Sequence, residues 1–113
     1  MRWNGNQKES ISLPLNKKHI WSSATLYPKE IRAKRSDWFY TFLDQNLAIS
    51  ETELLNFHRY TEEENQENGL VINRQETMKT LSITQCAIEN NKVVILHSDL
   101  IAKEDFNTSF ITV

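Results

Sequence analysis

A strand with apolar residues on both of its faces is the feature that most limits the folds open to this chain. Residues 93–96 read Val-Val-Ile-Leu, so two apolar side chains point to each side of the strand. A strand of this kind needs cover on both faces of its sheet. The chain has 113 residues, enough for one domain at most, and few of them remain to build a second covering layer. The pattern predicts an unsatisfied sheet face, to be covered by a second copy or by a missing half.

This strand, called the two-sided strand because both of its faces are apolar, belongs to a predicted hairpin. Residues 80–88 are rich in strand-forming residues, residues 92–97 form the second run, and Glu89-Asn90-Asn91 between them tolerates the positive φ of a tight turn. In the first strand, Leu81, Ile83 and Ala87 share one face. The opposite face carries a set of small, mostly hydroxyl-bearing residues: Ser82, Thr84 and Cys86. Residues 99–113 supply a small final strand or tail.

Two helices are predicted before the hairpin. Pro28 fits a first helical turn, and helical spacing to about residue 43 puts five apolar side chains on one side with the stem of Arg35: Ile31, Trp38, Phe39, Phe42 and Leu43. Ser50 is a predicted N-cap whose hydroxyl accepts from the N–H of Glu53. The second helix then runs to about Tyr60 and buries Leu54, Leu55, Phe57 and His58. The fold class is α+β, with two helices packed on a mainly antiparallel sheet.

Composition excludes several classes of function. The net charge of −2 and the lack of a basic face argue against nucleic acid as a partner. Only Gly5 and Gly69 are present, too few for a dinucleotide fingerprint or a phosphate-binding loop. Cys86 is the only cysteine, and no apolar run approaches membrane-spanning length, so we expect a cytoplasmic protein without membrane partners. We expect no cofactor.

Two adjacent serines form the candidate ligand site. Residues 19–26 read as a buried strand that leads into the first helix, and Ser22 and Ser23 stand at its end, where layered proteins often present hydrogen-bonding groups. Both could donate to a ligand or an oxyanion without an activating base. The alternative is structural, with one serine facing a packed helix and the other bonded to backbone.

The remaining polar candidates are weaker. The three histidines lie far apart, and His58 fits a satisfied core position, while His97 ends a strand. Cys86 lies within a strand, where a small buried residue is more usual than a nucleophile. Residues 62–69 are acidic but lack calcium-loop spacing, so they predict an exposed loop and no metal site. Arg74 could clamp a carboxylate or pair with this acidic loop.

Three segments, taken together, resemble the C-terminal half of the NRDE family, the bacterial relatives of transport and Golgi organisation protein 2. The segments are residues 20–27 with 35–39, residues 56–58, and residues 73–74 with 79–85. The resemblance covers nearly the whole chain, from Trp3 to about Leu100. It is most specific in the first segment, Ile-Trp-Ser-Ser-Ala-Thr-Leu-Tyr.

The resemblance implies one half of an N-terminal-nucleophile-hydrolase-like αββα sandwich. In such enzymes a cysteine at the mature N-terminus attacks an amide with its own amino group as base. Here Met1 is followed by Arg2, and no Asn-Arg-Asp-Glu string occurs. By order along the chain, Ser23 stands where related acylases carry an oxyanion-hole asparagine. Lys79 stands near the position of an arginine in many relatives, and Ser82 follows on the same strand.

The leading interpretation is therefore a single partial domain, residues 1–113, that lacks the nucleophile half and is not catalytic alone. No catalytic residue is assigned in this chain. Paired with an N-terminal half, it would contribute Ser22, Ser23, Lys79 and Ser82 to an amide-hydrolase-like pocket. The alternative is a small non-catalytic binding or structural protein that self-associates through its exposed sheet face. A stand-alone cysteine enzyme using Cys86 is the third alternative.

Overall fold

The computed structural model describes residues 2–3 and 5–112 of the chain. The element order is β1 (Arg2–Trp3), β2 (Lys8–Glu9), α1 (Lys29–Gln45), α2 (Glu51–Tyr60), β3 (Asn73–Arg74), β4 (Met78–Lys79), β5 (Ser82–Glu89), β6 (Lys92–Asp99) and β7 (Glu104–Ile111). Every strand pair in the described residues is antiparallel, and the main sheet has the order β5-β6-β7. The predicted α+β architecture is confirmed.

The two helices begin and end close to the predicted positions because local signals set both boundaries. Pro28 is the N-cap of α1, and the N–H of Arg32 already donates to its carbonyl. At α2 the predicted cap is confirmed, since the N–H of Glu53 donates to the Ser50 hydroxyl at 3.1 Å. An N-cap bond of this kind satisfies a backbone donor that the first helical turn otherwise leaves without a partner.

Helix α2 lies between α1 and the main sheet. On one side, Phe57 packs against Phe39 and Phe42 of α1, with ring centroids 5.7 and 4.8 Å apart. On the other side, Leu55 faces Ala87 and Leu96 of the sheet. Six apolar residues are buried among the described residues. They are Tyr27, Phe39, Leu55, Phe57, Ile72 and Val93.

The predicted hairpin is confirmed as β5 and β6, joined by Asn90 and Asn91, with Asn90 at a φ of 55°. The tail after it forms a full third strand, with β7 pairing to all eight residues of β6. Asp99 shapes the connection, because its Oδ1 accepts from the N–H groups of Ile101 and Ala102 at 2.9 Å each. These two bonds hold the pKa of the Asp99 carboxyl below its usual range.

The predicted buried strand at residues 19–26 is wrong. This segment is irregular and ends in a turn, in which the N–H of Leu26 donates to the Ser23 hydroxyl and the N–H of Tyr27 donates to the Ser23 carbonyl. Serine side chains compete with strand pairing in this way. Trp21 is 71% exposed and stacks on His19, with 5.6 Å between the ring centroids.

Candidate functional site

Three of the four residues predicted to line a ligand pocket, Ser22, Ser23 and Lys79, bond to protein groups through their side chains. The half-buried Ser22 accepts from Nε of Arg35 at 3.0 Å. The exposed Ser23 caps the turn that leads to Tyr27. Lys79, on β4, binds Glu76 at 2.9 Å, and Ser82 is exposed at the start of β5. The hydrogen bonds recorded for these side chains do not join the two serines to Lys79 or Ser82, so a shared pocket stays a prediction.

Arg35 forms the centre of a polar cluster that the sequence did not reveal. It is buried on α1 and donates to Ser22, to the carbonyl of Asn68 at 3.0 Å and to the carbonyl of Gly69. Its guanidinium carbon also lies 4.1 Å from the centre of the Tyr27 ring. Burial lowers the pKa of Arg35, whose ordinary value is so high that the group stays charged. The cluster joins α1 to the turn before it and to the acidic loop.

Arg74 pairs with the acidic loop, which is the second of the two roles predicted for it. Its Nε donates to the carbonyl of Glu67 at 2.7 Å, and the Glu67 carboxylate lies 3.7 Å away. Its Nη2 donates to the carbonyl of Leu26 at 2.9 Å. These bonds make Arg74 a connection between the turn and the acidic loop.

Gly69 lies in the acidic loop at a position that has no room for a side chain. A Cβ at this position would lie 2.5 Å from the carbonyl oxygen of Glu62 and 2.6 Å from that of Asn65. Only glycine allows the backbone to approach this closely. The close approach brings the Gly69 carbonyl to the buried guanidinium of Arg35.

An ionic groove of about 770 Å³ lies between the end of α2 and the β6–β7 connection. Nη2 of Arg59 donates to the Ser98 hydroxyl at 2.6 Å and to Oδ1 of Asp105 at 2.8 Å. Bonds from Ser98 and Arg59 hold the pKa of the Asp105 carboxyl below its usual range. Lys103 and Asp99 line the same groove. The bonds among Arg59, Ser98 and Asp105 make the groove a junction between helix and sheet.

The structure places Cys86 in a different environment from the predicted one and His58 in the predicted one. Cys86 is exposed, and the expectation of a small buried residue is wrong. His97 lies on the neighbouring strand, where its Nδ1 is 2.8 Å from the Thr84 hydroxyl. His58 is half-buried, with Nδ1 3.0 Å from the Leu54 carbonyl, as a satisfied structural histidine. Among the described residues, no group of three or more His, Cys, Asp or Glu could hold a metal ion.

One face of the main sheet points away from α2, and we call it the open face. It consists of the residues whose side chains alternate away from α2: Ser82, Thr84, Cys86 and Ile88 on β5, Val93, Ile95, His97 and Asp99 on β6, and Glu104, Phe106, Thr108 and Phe110 on β7. All of the β5 and β7 members are exposed.

The row Ile88–Val93–Phe110 shows how the open face is built. Ile88 is 71% exposed and Phe110 47%, while Val93 between them is only 7% exposed. Phe106, four residues earlier on β7, is 54% exposed. Neighbouring strands therefore bury the central residue, and the flanking apolar side chains remain in water. Contiguous exposed apolar residues of this kind mark surfaces that bind another protein or sheet.

Within the part of the chain that the structure describes, no helix has the length and hydropathy needed to cross a bilayer. Comparisons with protein-family models, with curated proteins and with solved structures gave no match for this chain.

Proposed function

We propose that this chain is a non-catalytic sheet layer that packs its open face against a second β layer. The observation that carries the proposal is the contrast between the two faces of the main sheet. One face receives Leu55 of α2, while the other leaves Ile88, Phe106 and Phe110 in water. Apolar area that is removed from water stabilises an interface by roughly 25 cal/mol per Å², so a second layer on this face is favourable.

A second sheet fits the open face better than a small ligand does. Ligand pockets are concave, whereas the open face is the surface of three strands in register. Two sheets pack about 10 Å apart with their inward side chains interdigitated. The alternation of large residues such as Phe106 with smaller ones such as Thr108 provides ridges and spaces for such packing.

The resemblance to the NRDE family indicates which polypeptide would form the second layer. In that family the sandwich would be completed by the half that carries the N-terminal cysteine nucleophile. We therefore propose that the chain is the C-terminal portion of an NRDE-like sandwich, and that hydrolysis, if the complete assembly performs it, depends on the other half. In this proposal Ser22, Ser23, Lys79 and Ser82 are candidates for the pocket lining.

The apolar nature of the open face can be tested with the fluorescent probe ANS, which binds exposed apolar surface. The double variant Phe106→Thr/Phe110→Thr should lose most of the ANS fluorescence of the wild-type chain and keep its far-ultraviolet circular dichroism. The matched control is Leu15→Thr/Leu47→Thr, which removes two fully exposed leucines outside the sheet. Equal losses in the two double variants would contradict the proposal.

The identity of the second layer requires a separate experiment. A coding sequence beside this one that begins Met-Cys and carries an Asn-Arg-Asp-Glu motif would be co-expressed with the chain. Its product should co-purify with the wild-type chain and not with Phe106→Thr/Phe110→Thr. Equal recovery with both chains would show that the open face is not the contact.

A further inference from the structure

Strand β7 forms one edge of the main sheet, and we propose that it pairs with β7 of a second copy of this chain. All eight residues of Glu104–Ile111 are exposed, and among the described strands β7 pairs with β6 alone. The edge is a different surface from the open face. The dimer proposed here and the second layer proposed above can therefore fail independently.

The antiparallel pairing of β6 with β7 determines which backbone groups of β7 point away from the sheet. In an antiparallel ladder, alternate residues point their N–H and C=O groups to the same neighbour. The bonds from Leu100 N–H to the Leu81 carbonyl, at 2.9 Å, and from Thr112 N–H to the Asn91 carbonyl, at 2.7 Å, fix this alternation. The even-numbered residues of β7 face β6. The backbone groups that point outward from the edge belong to Asp105, Asn107, Ser109 and Ile111.

This edge lacks the features that usually prevent strand pairing. Natural edges are protected by proline, lysine, bulges or short length. Residues 104–111 contain no proline, lysine, arginine or glycine, and each of them pairs with a single residue of β6 without a bulge. At eight residues, β7 is as long as the central strand. The β7 edge can thus pair with another strand along its whole length.

The sequence of β7 is self-complementary about a two-fold axis at Thr108. In that register Asn107 lies opposite Ser109 of the second copy, and Asp105 lies opposite its Ile111. These outward-pointing residues would exchange about eight backbone hydrogen bonds across the axis. Phe106 lies opposite Phe110 of the second copy, twice, on the open face. Aromatic pairs at such positions stabilise antiparallel sheets.

Charge favours this antiparallel arrangement over the alternatives. The two acids of β7, Glu104 and Asp105, stand at one end of the strand, and the other six residues are uncharged. Two-fold pairing places the acids of the two copies at opposite ends of a strand about 24 Å long, beyond the screening length of about 8 Å in physiological salt. A register shifted to an axis at Asn107 would lose outward pairs and would place Phe106 opposite Thr108.

The opposite edge of the sheet is less suitable. Helix α2 packs against β5, and Leu54 and His58 of α2 border a small cavity together with Ile83 and Gln85 of that strand. Strand β5 also contains no aromatic residue that could form a pair like that of Phe106 and Phe110. The self-pairing therefore involves β7.

A disulfide at the proposed axis provides the first test. Thr108→Cys, in a Cys86→Ser background, should form a covalent dimer when oxidised glutathione takes up the two electrons and two protons of the paired thiols. The Cα atoms of this non-hydrogen-bonded pair would be about 4.5 Å apart, within the range that a disulfide needs. Glu104→Cys in the same background is the control, since its copies would lie far apart. Two sheets packed face to face, at about 10 Å, could not form this bond.

A proline at the edge provides the second test. The wild-type chain should have twice its 13.3 kDa mass by light scattering. Asn107→Pro removes an outward N–H without touching the bonds to β6 and should be monomeric, whereas Cys86→Pro, the equivalent change on β5, should remain dimeric. The disulfide decides the matter if Asn107→Pro does not fold. Absence of the covalent dimer, its equal formation in Glu104→Cys, or a monomeric Cys86→Pro beside a dimeric Asn107→Pro would overturn the proposal.

Discussion

Arg35 is buried, and its hydrogen-bond partners are two backbone carbonyl oxygens and one hydroxyl. These bonds connect parts of the chain that are distant in sequence. Carbonyls of Asn68 and Gly69 lie more than 30 residues along the chain, so the guanidinium fixes the acidic loop against α1. The sequence predicted only that the stem of Arg35 lies on the apolar side of the helix. Its hydrogen-bond partners could not be predicted, because they are backbone atoms and carry no sequence signal.

The importance of the Arg35 cluster can be measured by substitution. Arg35→Met keeps the length of the stem and removes the donors, which leaves two carbonyls and the Ser22 hydroxyl without this partner. We expect the free energy of unfolding to fall by about 2–3 kcal/mol, measured by urea denaturation. Lys34→Met, at the exposed neighbouring position, should change it by less than about 0.5 kcal/mol. Similar losses in both variants would contradict a specific role for the cluster.

Ser22 and Ser23 show the limit of reading a site from residue types. The sequence left two alternatives, a ligand-binding pair or a structural pair. The structure places Ser22 against a side chain of α1 and Ser23 on the backbone of its own turn, which are the two contacts of the structural alternative. Their roles toward a ligand remain a prediction.

At the scale of elements, the parts determined by local signals were predictable. The α2 cap depends on Ser50 and Glu53, three residues apart, and the hairpin depends on the turn between β5 and β6. The segment at residues 19–26 was not predictable in the same way, because a strand requires a distant partner and its apolar residues alone do not supply one. The full length of β7 was underestimated, since its polar residues, such as Asn107 and Thr108, dilute the apolar pattern.

The junction between α2 and the sheet should depend on pH. Hydrogen bonds from Ser98 and Arg59 lower the pKa of the Asp105 carboxyl in the folded chain. A carboxyl with a lowered folded-state pKa stabilises the fold above its ordinary pKa, and this contribution is lost as the pH falls through the lowered value. Wild type should therefore melt above Asp105→Asn at neutral pH, and the difference should shrink below about pH 4.

The measurement for this junction is the melting temperature of both chains between pH 7 and pH 2. Glu104→Asn is the matched control, because Glu104 is the exposed neighbour on the same strand. Its difference from wild type should show less dependence on acid pH. A constant difference between wild type and Asp105→Asn over the whole range would contradict the ionic junction.

At the scale of the whole molecule, the sequence predicted that the main sheet would have an uncovered apolar face. The two-sided strand at residues 93–96 required cover on both faces, and the described structure provides a helix on one. The helix covers Val94 and Leu96, whereas Val93 lies on the opposite face between its neighbours Ile88 and Phe110. What the sequence could not supply is the identity of the second layer, since one chain records only its own half of an interface.

The most direct test of this central claim is hydroxyl-radical footprinting of the isolated chain at low concentration, read by mass spectrometry residue by residue. The account predicts rapid oxidation of Phe106 and Phe110 and strong protection of Phe39 and Phe57, which are buried between the helices. Protection of Phe106 and Phe110 equal to that of Phe57 in the monomeric chain would show that the sheet is already covered on both faces, and would contradict the account.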